Sequence, residues 1–284
     1  VDCDSAGYCY GTSVAVDSAG YAYVTGSFRE DVSFGSTTLT WVGVEDIFVA
    51  KIDTWGSWQW ATMAGGSQGY EVAHSIDIGP NGNAFITGYF QYDADFGNDT
   101  IWSSGGSDVF IAKISQQGDW IWTGVAGGTD SNKAYAISVD SQGDVYVAGG
   151  FYTGITFGNI SYNTGGYSNS FVAKAIDQGN TVAWDWAVII ASGSNDNSAQ
   201  DMAFDSNEDL VVTGWFEGTA SFGYNAMTSS GGKDIYVAKI QANSNSVWAK
   251  KAGSGSTDVG LGIAIGPQGN LYTTGYFQQS TISF

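Results

Sequence analysis

Four of the nine basic residues in this 284-residue chain, Lys51, Lys113, Lys174 and Lys239, recur at one place in a repeating pattern. An ammonium repeated in this way can do two things. Its stem can pack while its head meets a repeated carboxylate such as Asp17 or Asp140, or four heads can ring a channel and hold an anion. The first is the expectation, because a position shared by every unit of a repeat serves the unit. Trp60, Trp122, Trp186 and Trp248 also occur once per unit, and their apolar bodies predict fillers between neighbouring units, with sugar stacking as the sharper alternative. Aromatics that break the pattern, Trp41, Trp55, Trp102, Trp215 and Tyr167, are the better candidates for ligand contact.

Catalytic chemistry finds few parts. His74 is the only histidine, and no GxSxG, zinc-ligand cluster or phosphate-cradling loop accompanies it, so no catalytic residue is assigned. Glycoside hydrolysis needs only two carboxylates across a cleft, but Glu30, Glu45, Glu71, Glu208 and Glu217 are scattered over different units. No cofactor is expected. Calcium is the one ion with a local signal, since "YDADFGND" puts Asp93, Asp95 and Asp99 in one stretch and hard cations take oxygen ligands. A solvated loop is the simpler reading of those three.

The elements that carry these residues recur. "IDIGPNGNAFITGYF" (Ile76 to Phe90) reads as two short strands, a and b, joined by a tight turn, and the chain holds five such copies. They close on Phe28, Phe90, Phe151, Phe216 and Phe277, a near-constant period of the kind that marks a repeat architecture. In the fourth turn Glu208 replaces the final glycine, which predicts local strain or a different loop. Gly26, Gly88, Gly149, Gly214 and Gly275 recur inside strand b, where a glycine implies a bulge or close backbone approach. A polar excursion with a repeated Phe-Gly follows, expected as a small outer hairpin. Strand c is "DIFVAKI" and its equivalents, read as Asp46 to Ile52, Asp108 to Ile114, Ser170 to Ile176 and Asp234 to Ile240, apolar enough to be covered on both faces. Strand d carries the tryptophans, as in "WQWA".

Four antiparallel strands per unit of about 62 residues describe an all-β propeller of four complete units and an additional half unit. The copies span 12–66, 74–128, 135–193, 200–254 and a partial 261–284, in a single array, with 1–11 as an N-terminal cap. The motifs "VDSxGxxYVTGxF", "TFG", "DIFVAKI" and "WxWA…AGG" resemble the SBBP-type β-propeller repeat of bacterial and archaeal extracellular proteins. That resemblance spans nearly the whole chain and implies a toroidal propeller, often part of a larger secreted or surface-anchored protein, with no shared catalytic activity.

Composition narrows the partners. A net charge of −19, from 28 acidic against 9 basic residues, repels phosphate backbones and anionic lipid, so no nucleic acid is expected. No apolar run is long enough to span a bilayer as a helix, so no membrane insertion is expected. Cys3 and Cys9 are close enough in sequence for a terminal disulfide in an oxidising compartment. Asn98 and Asn159 open glycosylation patterns that matter only if the source glycosylates. The expected function is a non-enzymatic extracellular or cell-surface scaffold or adhesion module, whose partner is a surface protein, a polysaccharide or itself. A carbohydrate-binding propeller is the alternative, and a polysaccharide-degrading enzyme a third.

Overall fold

The computed structural model describes residues 2, 3, 8–223, 225–241, 246–279 and 281–283, with only the backbone of 2, 3, 246 and 247. Among the described residues there are 25 strands and no helix. It is an all-β, propeller-like repeat fold of small antiparallel sheets. Short runs of β-branched and aromatic residues broken by glycine turns favour this outcome over any helical one.

The first repeat is a four-stranded sheet in the order a, b, c, d: Cys9–Val16, Ala22–Phe28, Asp46–Ile52 and Trp58–Ala64. Strand a thus begins inside the stretch expected as a cap. The second repeat follows the same order through Val72–Ile78, Ala84–Phe90, Asp108–Ile114 and Trp120–Gly127. In the fourth, Asn197–Phe204, Leu210–Phe222, Asn225–Ile240 and Ser246–Ala252 pair likewise. The last described pair is Asp258–Ile265 with Leu271–Phe277.

By contacts the chain divides into two compact units, Val1–Val145 with Ala175–Ala183, and Tyr146–Lys174 with Trp184–Phe284. The division runs through the third repeat, so compactness and sequence period do not share a boundary.

Strand b contains the recurring glycine for a reason visible in its partner. Strand a carries a register shift at Gly11/Ser13, Ala73/Ser75, Ala199/Asp201 and Gly260/Gly262. The bulge turns a carbonyl of Tyr10, Val72, Ser198 or Val259 onto Gly26, Gly88, Gly214 or Gly275, where any Cβ would fall far inside van der Waals contact. Glycine is the only residue that fits.

Each Phe-Gly forms the expected outer hairpin. Val32–Phe34 pairs with Thr37–Leu39, Asp93–Phe96 with Asp99–Trp102, and Gly154–Phe157 with Ile160–Asn163. In the fourth repeat strands b and c simply extend to make it. The hairpin phenylalanine packs edge-on against the first tryptophan of strand d. Phe34 meets Trp58, Phe96 meets Trp120 and Phe157 meets Trp184, with centroids 5.0, 5.0 and 5.1 Å apart. Strand c is buried on both faces, as its unbroken apolar run requires. Glu208 keeps the turn but takes a φ of 60°. That is a left-handed conformation, which its Cβ disfavours.

One boundary differs from the reading of the sequence. Strand c of the third repeat is Asn169–Asp177, and its lysine and phenylalanine match the other copies only if Asn169, not Ser170, is its first position. Three extra residues then separate its lysine from its tryptophan, and longer c and d strands, Asn169–Asp177 and Val182–Gly193, take them up.

Candidate functional site

Three of the four repeated lysines are held by carboxylates. Lys51 lies 3.6 Å from Asp17 in the a–b turn of its own repeat, and Lys239 pairs with Asp205 in the equivalent turn and with Asp209 at 3.0 Å. Lys113 departs from the expected partner. Its own turn offers Gly79 where those of the other three lysines have aspartate, and it reaches Asp177 at 2.5 Å, the last residue of strand c of the next repeat. Lys174 has its ammonium over the Tyr146 ring, 5.1 Å from the centroid. The stems run through buried or half-buried surroundings, which is why each head needs a partner.

The repeated tryptophans reach across repeats in the first unit. The Trp60 indole donates to the Gln116 carbonyl at 2.9 Å, and Trp122 donates to Asp177 Oδ1 at 3.0 Å. Asp177 thereby holds two neighbours with one carboxylate while its Oδ1 also accepts Gly179 N–H at 2.9 Å. Trp186 packs edge-on against Tyr146 within the second unit. Trp248 is half-buried on strand d of the fourth repeat.

The residues singled out for ligand contact do not converge. Trp55 is 86% exposed in a c–d turn and Trp102 is 68% exposed at the end of an outer hairpin. Trp41 and Tyr167 are exposed in loops of the first and third repeats. Trp215 is half-buried in strand b of the fourth, with Lys233 Nζ 3.5 Å from its ring centroid. The calcium triple is separated by strand alternation. Asp95 opposes Thr100 and Asp93 opposes Trp102, whereas Asp99 opposes Phe96 and so sits on the other face of the hairpin. Among the described residues no three His, Cys, Asp or Glu gather as a metal group. The expected Cys3–Cys9 bridge involves the Cys3 side chain, which lies outside the described residues.

Three features escaped the sequence reading. His74 is the bulge residue of its strand, its ring centroid 5.6 Å from that of Tyr89 and 4.9 Å from that of Tyr135. Burial disfavours its charged form and pushes its pKa down to about 4. Arg29 forms a two-pronged contact with buried Glu45 at 2.7 and 3.1 Å, its guanidinium over the rings of Tyr8 and Tyr70, while Tyr10 donates to Glu45 Oε1. Such forked, ring-covered guanidinium contacts are among the stronger polar interactions. The first position of strand c, Asp46, Asp108, Asn169 and Asp234, is buried in every copy. Its carboxylates accept loop N–H groups, from Val42 and Ser104 at 2.6 Å and from Ser230 at 2.9 Å. The regular spacing of that position was the available signal.

A hollow of about 510 Å³ in the first unit is lined by Asn98, Asp99 and residues 120–123 and 180–182.

Comparison with known proteins gives one distant sequence relative. The chain is 23% identical to an uncharacterized WD repeat-containing protein of Acanthamoeba polyphaga mimivirus, over 96% of this chain and 25% of that one. The chain therefore spans about a quarter of that relative's length. No family model matches. A protein of unknown function from Bacteroides caccae is 11% identical, with a TM-score of 0.39 over 86% of this chain and 82% of that one. A Thermus thermophilus protein provisionally described as an oxidoreductase of the glucose dehydrogenase type is 11% identical, with a TM-score of 0.35 over 93% of this chain and 89% of that one. Repeat character and fold agree with a WD-type relative; the two structures are too dissimilar to carry an argument.

Proposed function

We propose that this chain is a non-enzymatic scaffold of an extracellular or cell-surface protein, of the SBBP type. One observation carries the reading. The polar atoms of the recurring lysines and tryptophans are spent on contacts inside the fold: Lys51 on Asp17, Lys239 on Asp205 and Asp209, Lys113 and Trp122 on Asp177, and Trp60 on the Gln116 carbonyl. A position shared by every unit of a repeat then serves the unit.

The high negative charge keeps such a module soluble and off nucleic acid. Urea unfolding tests it: Lys51→Met and Lys239→Met are each expected to lower the unfolding midpoint, because each leaves a largely buried carboxylate without its counter-charge. Midpoints equal to wild type would leave these ammonium groups free for a ligand and sink the proposal.

The exposure of Trp55 and Trp102 favours a second reading, carbohydrate binding on the loops. A glycan array that gives signal with the wild type and loses it with Trp102→Ala supports it, and a blank array ends it.

A further inference from the structure

The hollow beside strand d of the second repeat breaks a plan that the preceding pair of repeats shows. Between the first and second repeats, the c–d turn lies against Trp60. A Cβ on Gly118 would fall 2.9 Å from that indole, and Trp60 donates to the Gln116 carbonyl of the same turn at 2.9 Å. Between the second and third repeats the turn is shorter, residues 178–181 in place of 115–119. Lys113 Nζ holds it through Asp177 and the Gly179 carbonyl, at 2.5 and 3.2 Å, and Trp122 donates to the Asp177 carboxylate. Gly179 is left-handed like Gly118, with a φ of 89°, yet nothing lies within 4 Å of where its Cβ would be. The place that Gly118 covers at one junction stays open at the next, and the hollow of about 510 Å³ lies there. Its size falls among small-molecule sites, which run from about 300 to about 1,000 Å³.

The walls of the hollow are mixed. Trp120 and Trp122 supply aromatic surface, and both indole N–H groups are spent, on the Met63 carbonyl at 3.1 Å and on Asp177. Asn98, Asp99 and Asn180 are exposed, and among the described residues their side chains make no hydrogen bond or ion pair. No lysine or arginine lines it. Thr123 departs from the repeat as well. The other d strands have Ala61, Ala187 and Ala249 at this place, whereas the Thr123 hydroxyl is buried without a hydrogen-bond partner. Alanine avoids that cost, so the fold gains nothing from the hydroxyl. Thr123 as a whole is half-buried, and a turn about χ1 exchanges its hydroxyl and methyl positions.

We propose that this hollow binds a neutral mono- or disaccharide. A sugar ring offers apolar C–H surface to the tryptophans, and its hydroxyls donate to Asp99 and both donate to and accept from the amides of Asn98 and Asn180. The Thr123 hydroxyl turns to meet a sugar hydroxyl and so gains the partner it lacks. An acidic sugar meets Asp99 and finds no basic residue in the lining. The ligand class is shared with carbohydrate binding on the loops, but the place differs, since neither Trp55 nor Trp102 lines the hollow.

A glycan array of neutral and anionic saccharides, read with the full chain, supplies the probe, and titration calorimetry with the strongest neutral hit gives its affinity. Thr123→Ala and Asn180→Ala are each expected to weaken binding about tenfold, and Trp102→Ala to leave it unchanged. Thr123→Ala inserts the residue that the other repeats carry and should melt no lower than wild type, so its loss of binding is not a loss of fold. A blank array overturns the proposal, as does an affinity that Thr123→Ala and Asn180→Ala both keep. Binding lost only in Trp102→Ala puts the sugar on the loops and overturns it too.

Discussion

A lysine and a carboxylate at a repeated position are interchangeable parts only while the turn supplies the acid. Lys113 shows what happens otherwise: Gly79 removes the local partner, and Asp177 at the end of the next repeat's strand c takes its place. Because Asp177 is itself largely buried and also holds Trp122, Lys113→Met should destabilise by about 3 kcal/mol, read from urea unfolding. Glu208 gives the opposite case. Its left-handed φ costs a side chain about 1 kcal/mol, so Glu208→Gly should raise stability by about that amount in the same assay. Burial pushes the carboxyls of Asp46 up to about 7 and Glu71 up to about 8. Their folded forms therefore hold protons that the unfolded chain releases at lower pH. The stability they confer is complete below about pH 4 and is lost as pH rises through their raised values. His74, held low, works the other way: between about 4 and its ordinary value of 6.5, stability rises with pH. The melting temperature should fall as pH rises from about 4 to about 8, and Glu71→Gln should flatten much of that fall.

Among elements, the b strand and its bulged partner are the clearest lesson in what a sequence displays. The spacing of Gly26, Gly88, Gly214 and Gly275 announced a close approach, and the approach is a carbonyl of strand a. Gly88→Ala should cost about 3 kcal/mol, measurable by denaturant midpoint, since Val72 cannot withdraw without breaking the bulge. Hairpins, the apolar c strand and the aromatic pairs at the blade edge were legible because each is a local pattern of alternation or turn chemistry. The buried acids at the head of strand c were not. Aspartate before an apolar run looks like a solvated boundary, and only burial against the following repeat reveals Asp46 beside Glu71. The calcium triple failed for a related reason: proximity in sequence says nothing of which face of a hairpin Asp99 takes. The partner of Lys113 was hidden because it lies on the next repeat, at the end of a strand c longer than its equivalents in the first two.

At the scale of the whole molecule, the period says that each repeat leans on the next through the positions it repeats. Lys113 and Trp122 of the second repeat both reach Asp177 of the third, and Trp60 of the first reaches the Gln116 carbonyl of the second. These groups serve the fold. A double-mutant cycle between Lys113 and Asp177, read by urea unfolding, is the most direct test. The expected coupling is about 2 kcal/mol. Lys113→Met and Asp177→Asn effects that simply add would contradict it.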